Sequence, residues 1–148
     1  MLYEVAITNT ATTAGAAYFE FAAPTRQASL LELGVFLAVA TASSWLIGRP
    51  GNTPAGGTIQ TATKPTFNGA ATASTAGLAP SATTAATVPA AGNTFRRFGL
   101  PGAIGNGVVF TWNPLEMIVG TSRADSVVVW GLTAVAASGV NCYAKFIE

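Results

Sequence analysis

The chain has 148 residues, of which 50% are hydrophobic and 9% charged, with no histidine, one cysteine and a net charge of +1. The absence of histidine excludes a Ser-His-Asp or Cys-His catalytic arrangement and the common zinc sites, and the scattered basic residues form no stripe for nucleic acid. This length suits one domain with one core, and so apolar a chain is expected to cover part of its surface by self-association.

Short apolar runs with a period of two, separated by turn residues, predict an antiparallel all-β chain. In chain order, the predicted strands are residues 2–8, 17–22, 29–40, 45–49, 58–63, 107–112, 116–119, 126–133 and 140–147. Eight or nine short strands in one domain point to a β-sandwich, with the jelly roll as the favoured version. We therefore predict a single sandwich domain over residues 1–148.

The third predicted strand is strongly apolar. Its core face is predicted to carry alternate residues, namely Leu31, Leu33, Val35, Leu37 and Val39. Apart from Glu32, its other face is also apolar, as in a strand that is buried on both sides. The uncharged run after Glu32 ends at Ile47 and is shorter than the roughly 20 residues that a membrane-spanning helix needs. A buried hairpin is therefore predicted over residues 30–47.

The segment from residue 65 to residue 94 differs in composition from the rest of the chain. It is dominated by Ala, Thr, Ser, Gly and Pro, carries no charge, and has only Phe67, Leu78 and Val88 as larger apolar side chains. It cannot bury enough apolar surface to form a core of its own, and long insertions in compact domains are often functional. Two interpretations stay open: a flexible surface loop, or an extended arm that lies on a neighbouring subunit.

Candidate catalytic and ligand-binding groups are few. The six acidic residues lie on different predicted strands or at chain ends, so only the tertiary fold would create a carboxylate pair. The glycine-rich stretch from Gly102 to Gly107 lacks the lysine and the helix of a phosphate loop, which favours a β-turn or bulge. Cys142 is predicted to be a small buried hydrophobe rather than a reactive thiol. No catalytic residue, metal ligand or cofactor is predicted.

The sequence Phe95-Arg96-Arg97-Phe98 is the one constellation typical of an interaction site. Two guanidinium groups framed by aromatic rings suit pairing with carboxylates of a partner, since arginine and aromatic residues are enriched at interface anchors. In the alternative interpretation, Phe95 and Phe98 pin the end of the preceding segment to the core while Arg96 and Arg97 are solvated. These four residues are the candidate interface.

Two long stretches flank the small-residue middle of the chain: residues 19–50 (FEFAAPTRQASLLELGVFLAVATASSWLIGRP) and residues 110–148 (FTWNPLEMIVGTSRADSVVVWGLTAVAASGVNCYAKFIE). The first has a strand closed by Ala23-Pro24-Thr25 and then a Leu-rich strand, and the second has apolar strands after Trp112-Asn113-Pro114-Leu115-Glu116. This arrangement resembles small structural proteins encoded among the virion genes of tailed bacteriophages. The resemblance implies a jelly-roll or sandwich fold and a role in capsid decoration (cement) or as a minor head or tail component, without enzymatic activity or cofactor.

The leading hypothesis is a non-enzymatic decoration protein that stabilises a phage head through contacts with the major capsid protein or other virion subunits. A homo-oligomer is expected, with a trimer favoured because local three-fold positions suit shell reinforcement. Glu4 stands where a secretory signal would carry basic residues, so the protein is expected to be made in the host cytoplasm and located on the virion. No nucleic acid or membrane partner is expected.

Two alternative functions stay open. A tail or fibre-associated adhesion module would bind a host glycan through tryptophan or tyrosine beside polar acceptors. However, Trp45, Trp112 and Trp130 lie inside or at the ends of apolar strands. A small hydrolase would need catalytic carboxylates from the scattered acids, which the composition disfavours.

Overall fold

The computed structural model describes residues 2–9, 14–23, 26–62, 74–84, 87–89, 93–133 and 139–148. These residues form eleven strands: β1 (Leu2–Asn9), β2 (Ala16–Phe21), β3 (Ala28–Leu37), β4 (Ser43–Gly48), β5 (Ala55–Ala62), β6 (Ser74–Thr84), β7 (Thr94–Leu100), β8 (Gly107–Thr111), β9 (Ile118–Val119), β10 (Val127–Gly131) and β11 (Val140–Ile147). A short 3-10 helix, Arg123–Asp125, precedes β10. The described part of the chain has no helix long and apolar enough to cross a membrane.

The strands form two sheets that pack face to face. Sheet A has the order β1-β11-β3-β8, with β9 also paired to β3, and sheet B has the order β5-β6-β2-β10-β4-β7. Neighbouring strands are antiparallel throughout. Side chains from both sheets share one main hydrophobic core. The predicted all-β sandwich is confirmed.

Eight of these strands follow the winding of a jelly roll. Counted in chain order without β5, β6 and β9, the first pairs with the eighth (β1 with β11) and the second with the seventh (β2 with β10). The third pairs with the sixth (β3 with β8) and the fourth with the fifth (β4 with β7). The β11–β3 and β10–β4 pairings join these strand pairs into the two sheets. This double Greek key is the jelly-roll arrangement.

The main core follows the predicted alternation along β3, with one interruption. Leu33, Val35 and Leu37 are at most 1% exposed, as predicted. Near the start of β3, a β-bulge in its pairing with β11 brings Leu30 into the core and leaves Leu31 only half-buried. The predicted core position of Leu31 is therefore wrong, because one extra residue in a strand shifts the inward-facing set by one.

The predicted buried hairpin over residues 30–47 is also wrong. β3 lies in sheet A and β4 in sheet B, and a bent segment at residues 38–40 leads the chain from one sheet toward the other. Apolar alternation marks both strands, but it carries no information about which strands pair. On the side of sheet B away from the main core, β4, β2 and β10 bury a second small cluster: Ala17, Leu46, Val128 and Trp130.

The segment of residues 65–94 contains a strand that the sequence pattern does not predict. Residues 74–84 form β6, which pairs with β5 and with β2. This part of the segment is thus a strand of the chain's own sheet rather than a loop or an arm on a neighbour. Runs of Ala, Thr and Ser give no apolar alternation from which to predict a strand, whereas a backbone ladder needs no large side chains. Residues 63–73, 85–86 and 90–92 lie outside the described residues.

Candidate functional site

The predicted interface residues lie on β7, the edge strand of sheet B. The sequence pattern predicts no strand there, since two adjacent arginines between two phenylalanines do not alternate. In the structure, Phe95 and Phe98 are half-buried against the main core, whereas Arg96 and Arg97 are exposed. The two rings therefore pin β7 to the core and the arginines are solvated in the single chain. Contact of the arginines with a partner stays a prediction.

The edge strand of sheet A, β8, borders the same side of the sandwich as β7. The Phe98 ring of β7 and the Phe110 ring of β8 have centroids 5.2 Å apart, and Trp112 follows Phe110 at 6.3 Å. All three rings are half-buried. We call β7, β8 and these rings the open edge. Here, among the described residues, two strands with unpaired outer backbone groups frame a row of aromatic side chains.

Arg49, which follows β4, braces the open edge from within. Its guanidinium carbon lies 5.7 Å from the centroid of the Phe95 ring, within cation–π range. The same guanidinium donates to the carbonyl oxygens of Ile118, at 2.9 Å, and of Asp125. One side chain thus ties the end of β4 to β7, to β9 and to the short helix before β10. Arg49 is therefore a structural residue rather than part of a free surface.

Four of the ionisable side chains form two separate ion pairs. Glu20 is 4% exposed and accepts two hydrogen bonds from Arg123, at 3.0 and 2.6 Å. Glu32 Oε1 accepts from the Lys145 ammonium at 2.8 Å and from the Tyr143 hydroxyl at 2.7 Å. Within the described ranges, no three Asp, Glu, Cys or His side chains are grouped as metal ligands.

The outer face of sheet A lies on the side away from the core. The prediction that β3 is buried on both sides is wrong here, because Glu32 and Phe36 are only half-buried on this face. Alternate residues of four strands meet there in cross-strand rows. From β1 through β11 and β3 to β8, the rows are Thr8–Asn141–Phe36–Gly107, Ala6–Tyr143–Gly34–Val109 and Glu4–Lys145–Glu32–Thr111. This outer face carries polar and aromatic side chains, whereas the inner face of the same strands lies in or against the main core.

Two aromatic rings lie along the outer face because the residue across from each ring is glycine. Tyr143 pairs with Gly34, and Phe36 pairs with Gly107. A Cβ atom at either glycine would overlap the ring of its partner. The two rings are nearly parallel, at 14°, with centroids 6.1 Å apart. An aromatic residue that covers a strand glycine in this way is recognisable only once the strand register is known.

A groove of about 250 Å³ lies on the outer face between Tyr143 and β1. Its polar wall is formed by Thr8 and Asn141, where Thr8 Oγ1 donates to Asn141 Oδ1 at 2.7 Å. The small side chain of Ala6 leaves room beside the Tyr143 ring, which extends the other way over Gly34. The groove therefore combines an aromatic ring with amide and hydroxyl groups.

Two other predictions are confirmed. Cys142 is 1% exposed, and burial raises the pKa of its thiol, as expected of a structural cysteine. In the stretch from Gly102 to Gly107, the N–H of Asn106 donates to the carbonyl of Ala103 at 3.2 Å, which closes a turn. Gly105 has φ +84°, a conformation that favours glycine at this position of a turn.

The ionisable groups of the outer face influence one another. Burial, the hydrogen bond to Glu32 and the charges of Glu32 and Glu4 together raise the pKa of Tyr143 to about 12. Hydrogen bonds from Lys145 and Tyr143 lower the pKa of Glu32, and the bond to Glu32 raises the pKa of Lys145. At neutral pH, Glu32 is therefore ionised, Lys145 is charged and Tyr143 is a neutral donor.

Glu32→Gln is expected to lower the pKa of Tyr143 toward its ordinary value of about 10 without reaching it, because burial, the largest cause, remains. Since the folded pKa lies above the unfolded one, the stabilisation from neutral Tyr143 is fully present below about pH 10 and is lost as the pH rises toward 12. An ultraviolet titration of the tyrosines measures this shift. Glu4→Gln, the control, should shift the pKa less, and an unchanged titration in Glu32→Gln would contradict the hydrogen bond.

The open edge and the outer face of sheet A are the two described surfaces whose chemistry bears most directly on function. The first joins half-buried aromatic rings to exposed arginines, and the second joins flat aromatic rings to polar groups. Comparison of the chain with protein-family models, with curated proteins and with solved structures finds no match.

Proposed function

We propose that this chain is a non-enzymatic structural protein of a virus particle, most concretely a decoration protein that stabilises a phage head. The open edge carries the proposal as the surface that contacts the major capsid protein or another virion subunit. Support comes from the jelly-roll winding, which viral capsid domains also use, and from the sequence resemblance to phage virion proteins. Because one fold serves many functions, the fold is only an analogy, and the edge itself is the observation that matters.

The open edge has the composition of an interface rather than of ordinary surface. Its aromatic rings pack against the core yet stay partly accessible, and Arg96 and Arg97 are exposed on the strand beside them. Large exposed apolar side chains also occur along β8 and in the turns at its two ends: Ile104, Val109 and Leu115. Aromatic and arginine side chains next to exposed apolar groups are typical of interface centres.

The charge of the open edge indicates the kind of partner. Edge strands often carry charged residues that prevent pairing with a further strand, and two adjacent arginines repel an identical edge. The partner surface is therefore acidic, with carboxylates that pair with the guanidinium groups. We propose a trimer as the self-associated state. Because two identical edges repel, each open edge in the trimer would contact a different surface of the neighbouring subunit.

A hydrolase is the weaker proposal because the two carboxylates held in ion pairs are poorly suited to act as a general acid. Glycoside hydrolysis needs one carboxyl group with a raised pKa, beside a second carboxylate. The pKa of Glu32 is lowered instead, by hydrogen bonds from Lys145 and Tyr143. Glu20 is occupied by a bidentate bond from Arg123. An adhesion module is the second candidate, and the outer face of sheet A favours it.

Imaging of intact virus particles that carry this chain tests the proposed location. Copies at regular positions on the head shell are the expected result. Copies confined to a tail fibre would favour the adhesion module, and purified particles that lack the chain would contradict a virion role altogether. Sedimentation of the purified chain tests the proposed self-association, which a monomer at tens of micromolar (roughly the range of weak interfaces) would contradict.

The variant Arg97→Ala tests the open edge. Arg97 is exposed, so the variant should keep its melting temperature while it binds to particles up to about fivefold more weakly, the effect expected of one exposed ion pair. Arg96→Ala combined with Arg97→Ala should weaken binding further, and added salt should reduce the difference from the parent. Arg26→Ala removes the same charge from an exposed position outside β7, and it serves as the control. Equal occupancy of all variants would contradict the edge as the binding surface.

A further inference from the structure

Two aromatic rings on the outer face of sheet A are partly exposed, whereas the aromatic rings of the main core are buried. The Tyr143 and Phe36 rings are half-buried, nearly parallel and set against glycines of the neighbouring strands. One side of each ring therefore lies on the sheet and the other faces away from it, where the Lys145 ammonium lies 5.4 Å from the centroid of the Tyr143 ring, within cation–π range. The face of an aromatic ring is negative, so it attracts the weakly positive C–H groups on the apolar side of a pyranose ring.

Two polar groups without a protein partner among the described residues lie on either side of these rings. Thr8 donates to Asn141 Oδ1, so the two N–H groups of Asn141 Nδ2 have no partner among the described residues. Both hydrogen bonds to Glu32 use Oε1, which leaves Oε2 free to accept within the same described part of the chain. The face thus offers an amide donor at one end and a carboxylate acceptor at the other, with the Tyr143 row between them.

The spacing of these two groups indicates the size of the ligand. Asn141 and Glu32 belong to rows that are four residues apart along the strands, a separation of about 14 Å at the strand rise of 3.4 Å per residue. One sugar ring does not reach across this distance, whereas consecutive rings of a chain do. The groove beside Tyr143, at about 250 Å³, is smaller than the roughly 300–1,000 Å³ of drug-sized ligand pockets, and it suits one ring of such a chain.

The charge of the outer face selects among sugars. Its third row carries Glu4 and Glu32 around a single Lys145. The ammonium group of Lys145 is already hydrogen-bonded to Glu32. An anionic sugar would therefore meet an excess of negative charge with no free cation in the three rows, which disfavours acidic polysaccharides.

We propose that the outer face of sheet A binds a neutral oligosaccharide along the strand direction. Its pyranose rings stack on Tyr143 and Phe36, and its hydroxyl groups bond to Asn141 Nδ2 and Glu32 Oε2. The proposal does not depend on a role in head decoration, because the groove lies at the β1–β11 side of sheet A and the open edge lies at β8. A particle protein with this face would attach to a surface glycan.

Isothermal titration calorimetry of the purified chain with four neutral hexasaccharides tests the proposal, the probes being cellohexaose, maltohexaose, mannohexaose and chitohexaose. At least one is expected to bind with Kd between about 10 μM and 1 mM, the range of weak specific binding. With that probe, Tyr143→Ala should weaken binding at least about tenfold and Asn141→Ala about two- to tenfold, the latter corresponding to one lost hydrogen bond. Tyr143→Phe keeps the ring and should bind more tightly than Tyr143→Ala.

Gln27→Ala is the matched control, since Gln27 is an exposed amide outside the rows of the outer face, and its binding should equal that of the parent. Asn141 is exposed as well, so Asn141→Ala keeps the test valid should Tyr143→Ala fail to fold. The proposal is overturned if none of the four probes binds at millimolar concentration. It is also overturned if Asn141→Ala and Gln27→Ala bind alike, or if an oligogalacturonate, an acidic probe, binds more tightly than every neutral one.

Discussion

Val35→Asp is expected to lower the free energy of unfolding by about 3 kcal/mol or more, because it places an unpaired carboxylate in the main core. Val35 is fully buried, and it pairs with Cys142 of β11 on one side and Val108 of β8 on the other. Neither neighbour offers a charge or a strong donor to the new carboxylate. Urea unfolding followed by circular dichroism measures the loss.

Two controls isolate burial as the cause. Val35→Ile keeps the position apolar and is expected to cost less than about 1.5 kcal/mol. Val109→Asp introduces the same carboxylate one strand away on the outer face, where Val109 is 43% exposed, and a surface change of this kind is usually worth about 0.5 kcal/mol or less. If Val35→Asp unfolded at the same urea concentration as the parent, the inward orientation of β3 would be incorrect.

Arg123→Met is expected to cost about 3–5 kcal/mol, because it leaves the Glu20 carboxylate buried without its partner. The side chains of Arg123 and Glu20 are 19% and 5% exposed, and the two are joined by a bidentate bond. This pair ties the short helix before β10 to β2, in a sheet whose other contacts are mostly backbone ladders and apolar packing. Urea unfolding again provides the measurement.

The double variant Glu20→Leu with Arg123→Met should recover most of that loss. Replacing both partners of a buried pair by apolar residues is often neutral, whereas removal of one partner is not. Arg26→Met, at an exposed position, should leave stability within about 0.5 kcal/mol of the parent. A single variant Arg123→Met as stable as the parent would show that Glu20 has another partner or is solvated.

The two proposed surfaces share β8, but the groove and the arginines of the open edge lie on different strands, so variants of these groups test the two surfaces separately. In sheet A, β11 and β3 lie between β1, which borders the groove, and β8, which borders the open edge. Arg97→Ala should therefore leave oligosaccharide binding unchanged, and Asn141→Ala should leave the occupancy on particles unchanged.

The candidate interface shows how much of a surface a local sequence motif can predict. Of the two interpretations of Phe95-Arg96-Arg97-Phe98, the single chain has the arrangement in which the rings pack against the core and the arginines face solvent. That these residues occupy an edge strand beside Phe110 depends on the pairing of β7 with β4 and of β8 with β3. The rows of the outer face were not predicted, since Glu32 and Tyr143 are 111 residues apart in the chain.

The alternation of apolar and polar residues along the chain was by itself enough to predict the all-β fold class and much of the core. A strand that buries one face must alternate with a period of two. Residues 140–147 were therefore predicted with the bounds that β11 has, and the inward positions of Leu33, Val35 and Leu37 followed. Its setting between Val140 and Tyr143 likewise predicted a buried Cys142. These features depend only on neighbours in the chain.

Partner choice among the strands was decided by the tertiary structure alone. β3 and β4 read as a hairpin but belong to opposite sheets, the bulge at Leu31 depends on pairing with β11, and β6 has no apolar alternation. Backbone hydrogen bonds join strands without regard to side-chain identity, so the sequence of one strand does not name its neighbour. The open edge and the three rows of the outer face are consequences of that pairing.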